Sequence, residues 1–439
     1  MSGAMKVGVG ETVITPKENL LLRGFARSQV ATGVHDDLHA RSLYIEDAKG
    51  FGVILMTLSL VYIDRELLLK IRETISKKIG IPEKRTLITC THTHAGPWIQ
   101  KAGEKYRKYV LDQAVASANT AYENRAPGKL GIGTTEVLEL GRNRRRLLYG
   151  GIHPDPQVGI IKAENTKGKL LGIFFVYGCH PSALDWQNRL YSEDWPYYAI
   201  KGIKEKVGKD VCVGYFQSCQ GDINVGYSSE LSAVGVDMPV RTYWYIEVKG
   251  NQMVKAVLDA LPGITTSDNQ KIAMVTDFFD YPLRESFPVT LEQAEKDAEV
   301  ANKKLSIMEK KGELQGTRKL DHIRFEHFSA NQRLETAKIF YETKDRPSKL
   351  NIEQQSIQIG NTVIVSVPGE VFSEIGLQIK KRSPFKNTFV LAISGGYEGY
   401  MPTAKEFIEG DYEVDGCKYS PKAEQTCVNC SLDLINRLK

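Results

Sequence analysis

The residues of this 439-residue chain best suited to chemistry stand at the ends of apolar runs. In Thr89 to Pro97 (TCTHTHAGP), two histidines follow the strand-like Thr86-Leu87-Ile88, and Gly96-Pro97 is expected to end that strand. Side chains alternate along an extended segment, so His92 and His94 are expected to point the same way. Two imidazoles aimed at one spot suit a metal site or a charged transition state. A pair of hydrogen-bonded surface histidines would show the same spacing.

The pattern recurs. The apolar run Leu170 to Gly178 ends at Cys179-His180-Pro181, and Val211 to Phe216 leads into Gly221-Asp222-Ile223-Asn224. Thr362 to Val367 reaches Pro368-Gly369-Glu370, and Thr388 to Ile393 reaches Tyr397 and Tyr400. In open α/β sheets sites gather at strand carboxyl ends, so the economical expectation is five such ends on one cleft. Read alone, Glu370 could serve the dipole of a following helix and Tyr400 could be a core tyrosine. The chain carries no Gly-rich phosphate loop, nucleophile elbow or His-Glu-x-x-His helix, which disfavours nucleotide binding and the commoner hydrolase chemistries.

The elements needed to position these residues are those of an α/β protein. Val7 to Val9, Arg41 to Ile45, Val53 to Leu60, Lys129 to Gly133 and Gln157 to Lys162 read as strands. Asp64 caps a helix with Leu67, Ile71 and Ile75 on one face, making a β-α-β unit that delivers the chain to Thr89. Further helices are expected over Glu104 to Asn124, Asp194 to Lys206 and Phe372 to Lys380. Thr290-Leu-Glu-Gln293 is a capping box opening a charged helix to about Lys311, and a second helix runs from Leu320 to Glu342. The fold class is therefore a mixed-sheet α/β domain flanked by helices, with a helical hairpin inserted at 285–345. That hairpin reads as a lid or lateral support.

Composition narrows the setting. The chain is 42% hydrophobic and 25% charged, ordinary for a globular protein with a large core. A net charge of +5 over this length, with no basic helix or aromatic repeat, gives no support to a nucleic-acid partner. No apolar run approaches the roughly 18 residues of a membrane span. Met1 to Lys6 lacks the pattern of a signal peptide, and whether Met1 to Ala4 is native stays open. Seven scattered cysteines read as thiols in a reducing, cytoplasmic setting. Cys427-Val-Asn-Cys430 has zinc-knuckle spacing without a matching second pair, so buried or loose thiols are the better reading. Arg142 to Arg146 presents either a positive rim or a solvated charged turn. A homo-oligomer is open.

Taken in order, the motifs resemble the neutral, non-lysosomal ceramidase family and its shorter prokaryotic relatives. The resemblance rests on Ile14-Thr-Pro16, Gly24-Phe-Ala26, Gly33-Val-His35-Asp-Asp-Leu-His-Ala-Arg41 and Thr91-His-Thr-His-Ala-Gly-Pro97. It continues through Asn143-Arg144, Cys179-His-Pro181, Gly221-Asp222, Val367-Pro-Gly-Glu370, Gly399-Tyr-Met-Pro-Thr403 and Asp411-Tyr412-Glu413. Each motif is weak alone; their order over nearly the whole chain is specific.

The resemblance implies one catalytic zinc, with His92, His180, Glu370 and Tyr400 in the positions of its ligands. It implies that His94 and Tyr412 donate to a tetrahedral oxyanion and that Arg144 binds a polar part of the substrate. Asp222 and Asn224 would lie along the substrate. The implied reaction is hydrolysis of an amide in an N-acyl type substrate, ceramide-like or smaller, by a zinc-activated water. An ester, lactone or cyclic-amide hydrolase on the same scaffold is the alternative; a non-catalytic metal- or ligand-binding homologue is a third.

Two departures bear on substrate. Asn224 stands where true ceramidases carry a serine, and asparagine is no nucleophile, which favours the zinc-water route. Ser59 replaces a family aspartate. The chain is also expected to be a single catalytic domain over 1–439, without the family's C-terminal β-sandwich.

Overall fold

The computed structural model describes residues 4–25, 27, 29–147, 151–228, 241–312 and 318–439. The chain opens with strand β1 (Lys6–Val13), paired antiparallel with β2 (His39–Glu46), which pairs antiparallel with β3 (Gly52–Leu58). Helix α1 (Arg65–Ile79) then returns the chain to β4 (Thr86–Cys90), parallel to β3. As expected, Asp64 caps α1: its carboxylate accepts from the Leu67 amide, while Leu67, Ile71 and Ile75 are buried. β3 and β4 are buried along their whole lengths, which explains their continuous apolar runs.

Helix α2 (Gly103–Glu123) leads to β5 (Ala126–Glu136), β6 (Gln157–Asn165) and β7 (Leu170–Tyr177), joined antiparallel in succession. Helix α3 (Trp195–Val207) crosses to β8 (Cys212–Gln217), parallel to β7. These strands make one eight-stranded mixed sheet in the order β8-β7-β6-β5-β1-β2-β3-β4.

Helix α4 (Tyr243–Ala260) packs on α3, and the sequence expectations did not include it. Its interior Gly250 obscures the pattern. A Cβ there would meet Tyr198 Cβ at 2.6 Å, so the glycine is what lets the two helices approach.

A second sheet, β9-β10-β11-β13, follows. It is built from β9 (Ile272–Pro282), β10 (Lys349–Ile359), β11 (Thr362–Ser366) and, after β12 (Glu370–Val371) and α7 (Ser373–Arg382), β13 (Asn387–Leu391). β11 and β13 are parallel, joined through α7. Between β9 and β10 lies the expected hairpin, α5 (Leu291–Lys310) with α6 (Arg318–Glu342). The two-residue β14 (Tyr400–Met401) pairs parallel with β12, placing Tyr400 opposite Glu370. After the short α8 (Glu406–Glu409) and α9 (Tyr412–Asp415), α10 (Ala423–Asn436) closes the chain.

Leu55, Leu87, Phe174, Phe216, Ile364 and Phe389 from both sheets meet in one buried cluster. Because the two sheets share that core, the carboxyl ends of β4, β8 and β13 come together. The Ala392 amide donates to the Gln217 carbonyl, and Thr89 bridges to Ser394. Cys427 and Cys430 lie one turn apart on α10, and all seven cysteines are free thiols, six of them buried. Among the described residues no helix is long and apolar enough to cross a membrane.

Candidate metal centre

Three parallel β-α-β connections (β3-α1-β4, β7-α3-β8 and β11-α7-β13) leave their strand ends around one cavity. His92 and His94 follow β4, His180 follows β7, Glu370 follows β11, and Tyr397 and Tyr400 follow β13. One ring nitrogen from each of His92, His94 and His180 lies within 4.8 Å of the other two, and all three residues are buried. Glu370 Oε2 stands 3.0 Å from His180 Nε2 and 3.3 Å from His92 Nε2.

The two histidines after β4 converge by a route other than strand alternation. β4 ends at Cys90, before either histidine, and His92 adopts a left-handed backbone with φ 69°. A non-glycine residue there is strained and persists only where its surroundings hold it. Here the His92 amide donates to the Leu60 carbonyl and the His94 amide to that of Pro181. The expectation that Gly96-Pro97 ends the strand is corrected by the same geometry.

Gln217, unremarked in the sequence, ties the histidine loops together. Its buried side-chain amide donates to the carbonyls of Thr91 and Cys179 and accepts from the Cys179 amide and the Tyr215 hydroxyl. Each of the two loops it holds carries a histidine on the next residue. Gly24, with φ 115°, runs so close to His94 that a Cβ would sit 2.4 Å from the ring, and Phe25 meets that ring edge-on at 4.8 Å.

The hydrogen bonds define the tautomers. His92 Nδ1 lies 2.9 Å from the Val61 carbonyl and His180 Nδ1 2.8 Å from that of Ile223. A carbonyl only accepts, so each Nδ1 carries a proton and each ring turns its Nε2 toward Glu370. Burial, with the Arg144 charge added, lowers the His180 pKa to about 4. The lone pair of the neutral His180 thus faces a carboxylate oxygen, with His92 Nε2 beside it, an arrangement that calls for a cation between them. His94 adds a buried Nδ1 without a partner among the described residues. Burial, then the neighbouring histidines, lower its pKa and keep it neutral. The donor set fits a divalent metal that takes nitrogen and oxygen ligands.

Around this centre Tyr397 donates to Glu370 Oε1 at 2.6 Å and stacks on Tyr62 with ring centroids 3.9 Å apart. Tyr400 accepts from Arg144 at 3.3 Å and meets Tyr412 edge-on. Arg144 also donates to Glu413 and the Gly221 carbonyl. These side chains line a cavity of about 130 Å³ that His92, His94, Arg144, Glu370, Tyr400 and Tyr412 all reach. Phe328 and Gln332 of α6 complete its wall, so the inserted hairpin is part of the site.

Asp222 and Asn224 are not among the lining residues. Asp222 accepts from the Ser373 amide and hydroxyl and from Asn143, capping α7, and burial raises its pKa to about 6. Asn224 folds its own loop, accepting from the Gly226 and Tyr227 amides and donating to the Tyr227 carbonyl. The run Arg142 to Arg146 is no solvated turn: Arg145 is bound by Glu406 and Glu413, and Arg146 by Glu406 and Glu409. Those partners lie some 260 positions ahead, where no local pattern could announce them. Gln217 and Phe328 were missed for the same reason, whereas Tyr397 was named from its place after a strand.

The mixed α/β fold that carries this buried histidine-carboxylate centre is shared with a known structure. The crystal structure of neutral ceramidase from Pseudomonas aeruginosa superposes with a TM-score of 0.75 at 19% identity, over 100% of this chain and 75% of that one. The family model described as "Neutral/alkaline non-lysosomal ceramidase, N-terminal" matches residues 5–229, just over half of the chain. The chain belongs to that family. Among its relatives, Neutral ceramidase 1 of Arabidopsis thaliana is 25% identical over 213 residues, 43% of this chain and 27% of the relative. The neutral ceramidase of P. aeruginosa is 26% identical over 220 residues, 44% of this chain and 32% of the relative. The matched segment thus spans less than a third of either curated relative.

Proposed function

We propose that this protein is a zinc-dependent amidohydrolase that cleaves the amide bond of an N-acyl type substrate, ceramide-like or smaller. The observation that carries the reading is the convergence of His92 Nε2 and His180 Nε2 on Glu370 Oε2, beside the buried His94. The proposed ligands are His92, His180, Glu370 and Tyr400. Family membership supports the carbon–nitrogen bond as the target.

A zinc ion held there would acidify water and polarise an amide carbonyl. The chain's own groups do the rest. His94 stays neutral because burial disfavours its charged form, and so it retains an N–H to offer an oxygen that gains negative charge. Tyr412 keeps its hydroxyl proton, since burial pushes its pKa well up, and can donate to the same oxygen. Arg144, anchored by Glu413, orients Tyr400 and faces the cavity with its positive charge. Water adds to the carbonyl carbon, the C–N bond breaks, and the amine leaves with a proton.

The reading takes the whole chain as one catalytic unit, with the 285–345 hairpin as a wall of its pocket. It includes a cytoplasmic setting, which the free thiols support and cell fractionation tests.

Protein purified without chelators should carry about one zinc per chain. The double change His92→Ala, His180→Ala should abolish that zinc, while His94→Ala should keep the metal and lose turnover. A panel of ceramides, short N-acyl amino acids, lactams and esters completes the test. Cleavage of esters or lactones with no amide cleaved would replace amide hydrolysis by the alternative chemistry.

A further inference from the structure

Arg23 and Arg144 line the cavity with His94, Arg27 bonds the His94 carbonyl, and the three are used differently. Arg144 is matched by Glu413. Arg27 spends its guanidinium on the carbonyls of Trp186, Asn188 and His94. Arg23, half-buried in the cavity wall, has no ion pair and no side-chain hydrogen bond among the described residues. Its guanidinium lies instead 4.3 Å from the Trp98 ring centroid and 5.9 Å from that of Tyr62. Lys101 places its ammonium 4.0 Å from the same Trp98 ring.

Cation–π contact of this kind is attractive, because the ring face is negative. It holds a guanidinium in place without neutralising it, so the donor fork stays available. That fork matches a carboxylate in a way an ammonium does not.

Position relates this charge to the centre. Arg23 precedes Gly24, the residue whose backbone presses against the His94 ring. On its other side, Tyr62 stacks on Tyr397, which donates to Glu370. The unmatched charge therefore sits on a wall continuous with both the histidine and the carboxylate sides of the centre. The cavity, about 130 Å³, is small beside the roughly 300–1,000 Å³ of pockets that enclose drug-sized ligands. What it encloses must be small.

We propose that Arg23, held against Trp98, is an anion subsite of this cavity. The amide cleaved would then be one whose amine portion carries a carboxylate: a short N-acyl amino acid rather than a neutral amino-alcohol amide. This rests on the amidohydrolase reading of the adjacent centre.

The test compares N-butanoylglycine with N-butanoylethanolamine, which differ in carboxylate against hydroxymethyl. In the zinc-loaded native protein, kcat/KM for the glycine amide should exceed that for the ethanolamine amide by about tenfold or more. Arg23→Gln should lower the ratio of the two values about tenfold, chiefly through KM, and Arg23→Lys should restore part of it. A ratio near one in the native protein, or one unchanged by Arg23→Gln, overturns the subsite. If neither amide is turned over, calorimetric titration with N-butanoylglycine decides separately. Binding that weakens about tenfold in Arg23→Gln sustains the anion subsite while the amidohydrolase reading falls; equal or absent binding in both proteins overturns the subsite.

Discussion

His180 Nε2 and Glu370 Oε2 lie 3.0 Å apart as two acceptors, because the His180 proton is committed to the Ile223 carbonyl and burial keeps the ring neutral. Without a cation the contact is unfavourable; with one it becomes a pair of ligands. Glu370→Gln should therefore separate stability from metal binding. Its amide nitrogen can donate to Nε2, so the variant should melt no lower than the native protein in chelator. Its zinc affinity should fall by about tenfold or more, read by competition with a chelating dye.

Tyr397 donates to Glu370 Oε1 at 2.6 Å, and through it would act on the proposed metal. Tyr397→Phe keeps the ring stacked on Tyr62 and removes only that donor. Losses of about 10–100-fold in metal affinity are usual when such a partner is removed. The expected outcome is a drop of that size in the zinc association constant with little change in unfolding temperature.

Gln217 satisfies two buried carbonyls, on Thr91 and Cys179, each one residue before a histidine of the centre. Gln217→Leu fills the space and leaves the Thr91 carbonyl and the Cys179 amide unpaired, while the Tyr215 hydroxyl still donates to the Cys179 carbonyl. Unfolding in urea should show a loss of about 3 kcal/mol. Zinc should bind more weakly as the two loops loosen.

His153 should dominate one part of the acid response. Its Nε2 bonds the Gly178 carbonyl while Nδ1 accepts from the Asp155 amide, so the neutral ring alone fits, and burial lowers its pKa to about 4. The unfolded chain, titrating near the ordinary value of about 6.5, binds more protons throughout the interval between. Stability from this group is thus complete above about pH 6.5 and lost as pH falls toward 4. Denaturation curves at pH 7 and pH 4 should show His153→Gln losing less stability than the native protein, by up to about 3 kcal/mol.

Phe328 brings the hairpin into the pocket and packs edge-on against Tyr412. Phe328→Ala should enlarge the cavity. With N-acyl amides of increasing chain length, kcat/KM should shift toward longer acyl groups, while zinc content stays the same.

The sequence disclosed those parts of the site that repeat a local rule. His180 and Glu370 end apolar strands before the chain turns, and the periodicity of α1 and the capping box of α5 located their helices within a few residues. His92 was found for a reason that proved incomplete: its direction comes from a left-handed residue held by the Leu60 carbonyl, not from strand alternation. Asp222 shares the strand-end pattern yet caps α7, because which face of a loop meets the cavity is decided by its tertiary partners. Gln217 and Phe328 owe their places to contacts between distant segments, for which a single sequence holds no signal. The hairpin was legible as two helices; that it walls the cavity was not.

The centre draws on both sheets, with His92 and His180 beside strands of the larger one and Glu370 and Tyr400 beside the smaller. His92 and Tyr400 are more than three hundred positions apart. During synthesis the amino-terminal sheet must therefore emerge with a half-built pocket, its imidazoles lacking their carboxylate until β12 arrives. If the centre holds the proposed metal, its capture is consequently a late event in the life of the chain, and an ion seated there would certify that the two sheets have docked.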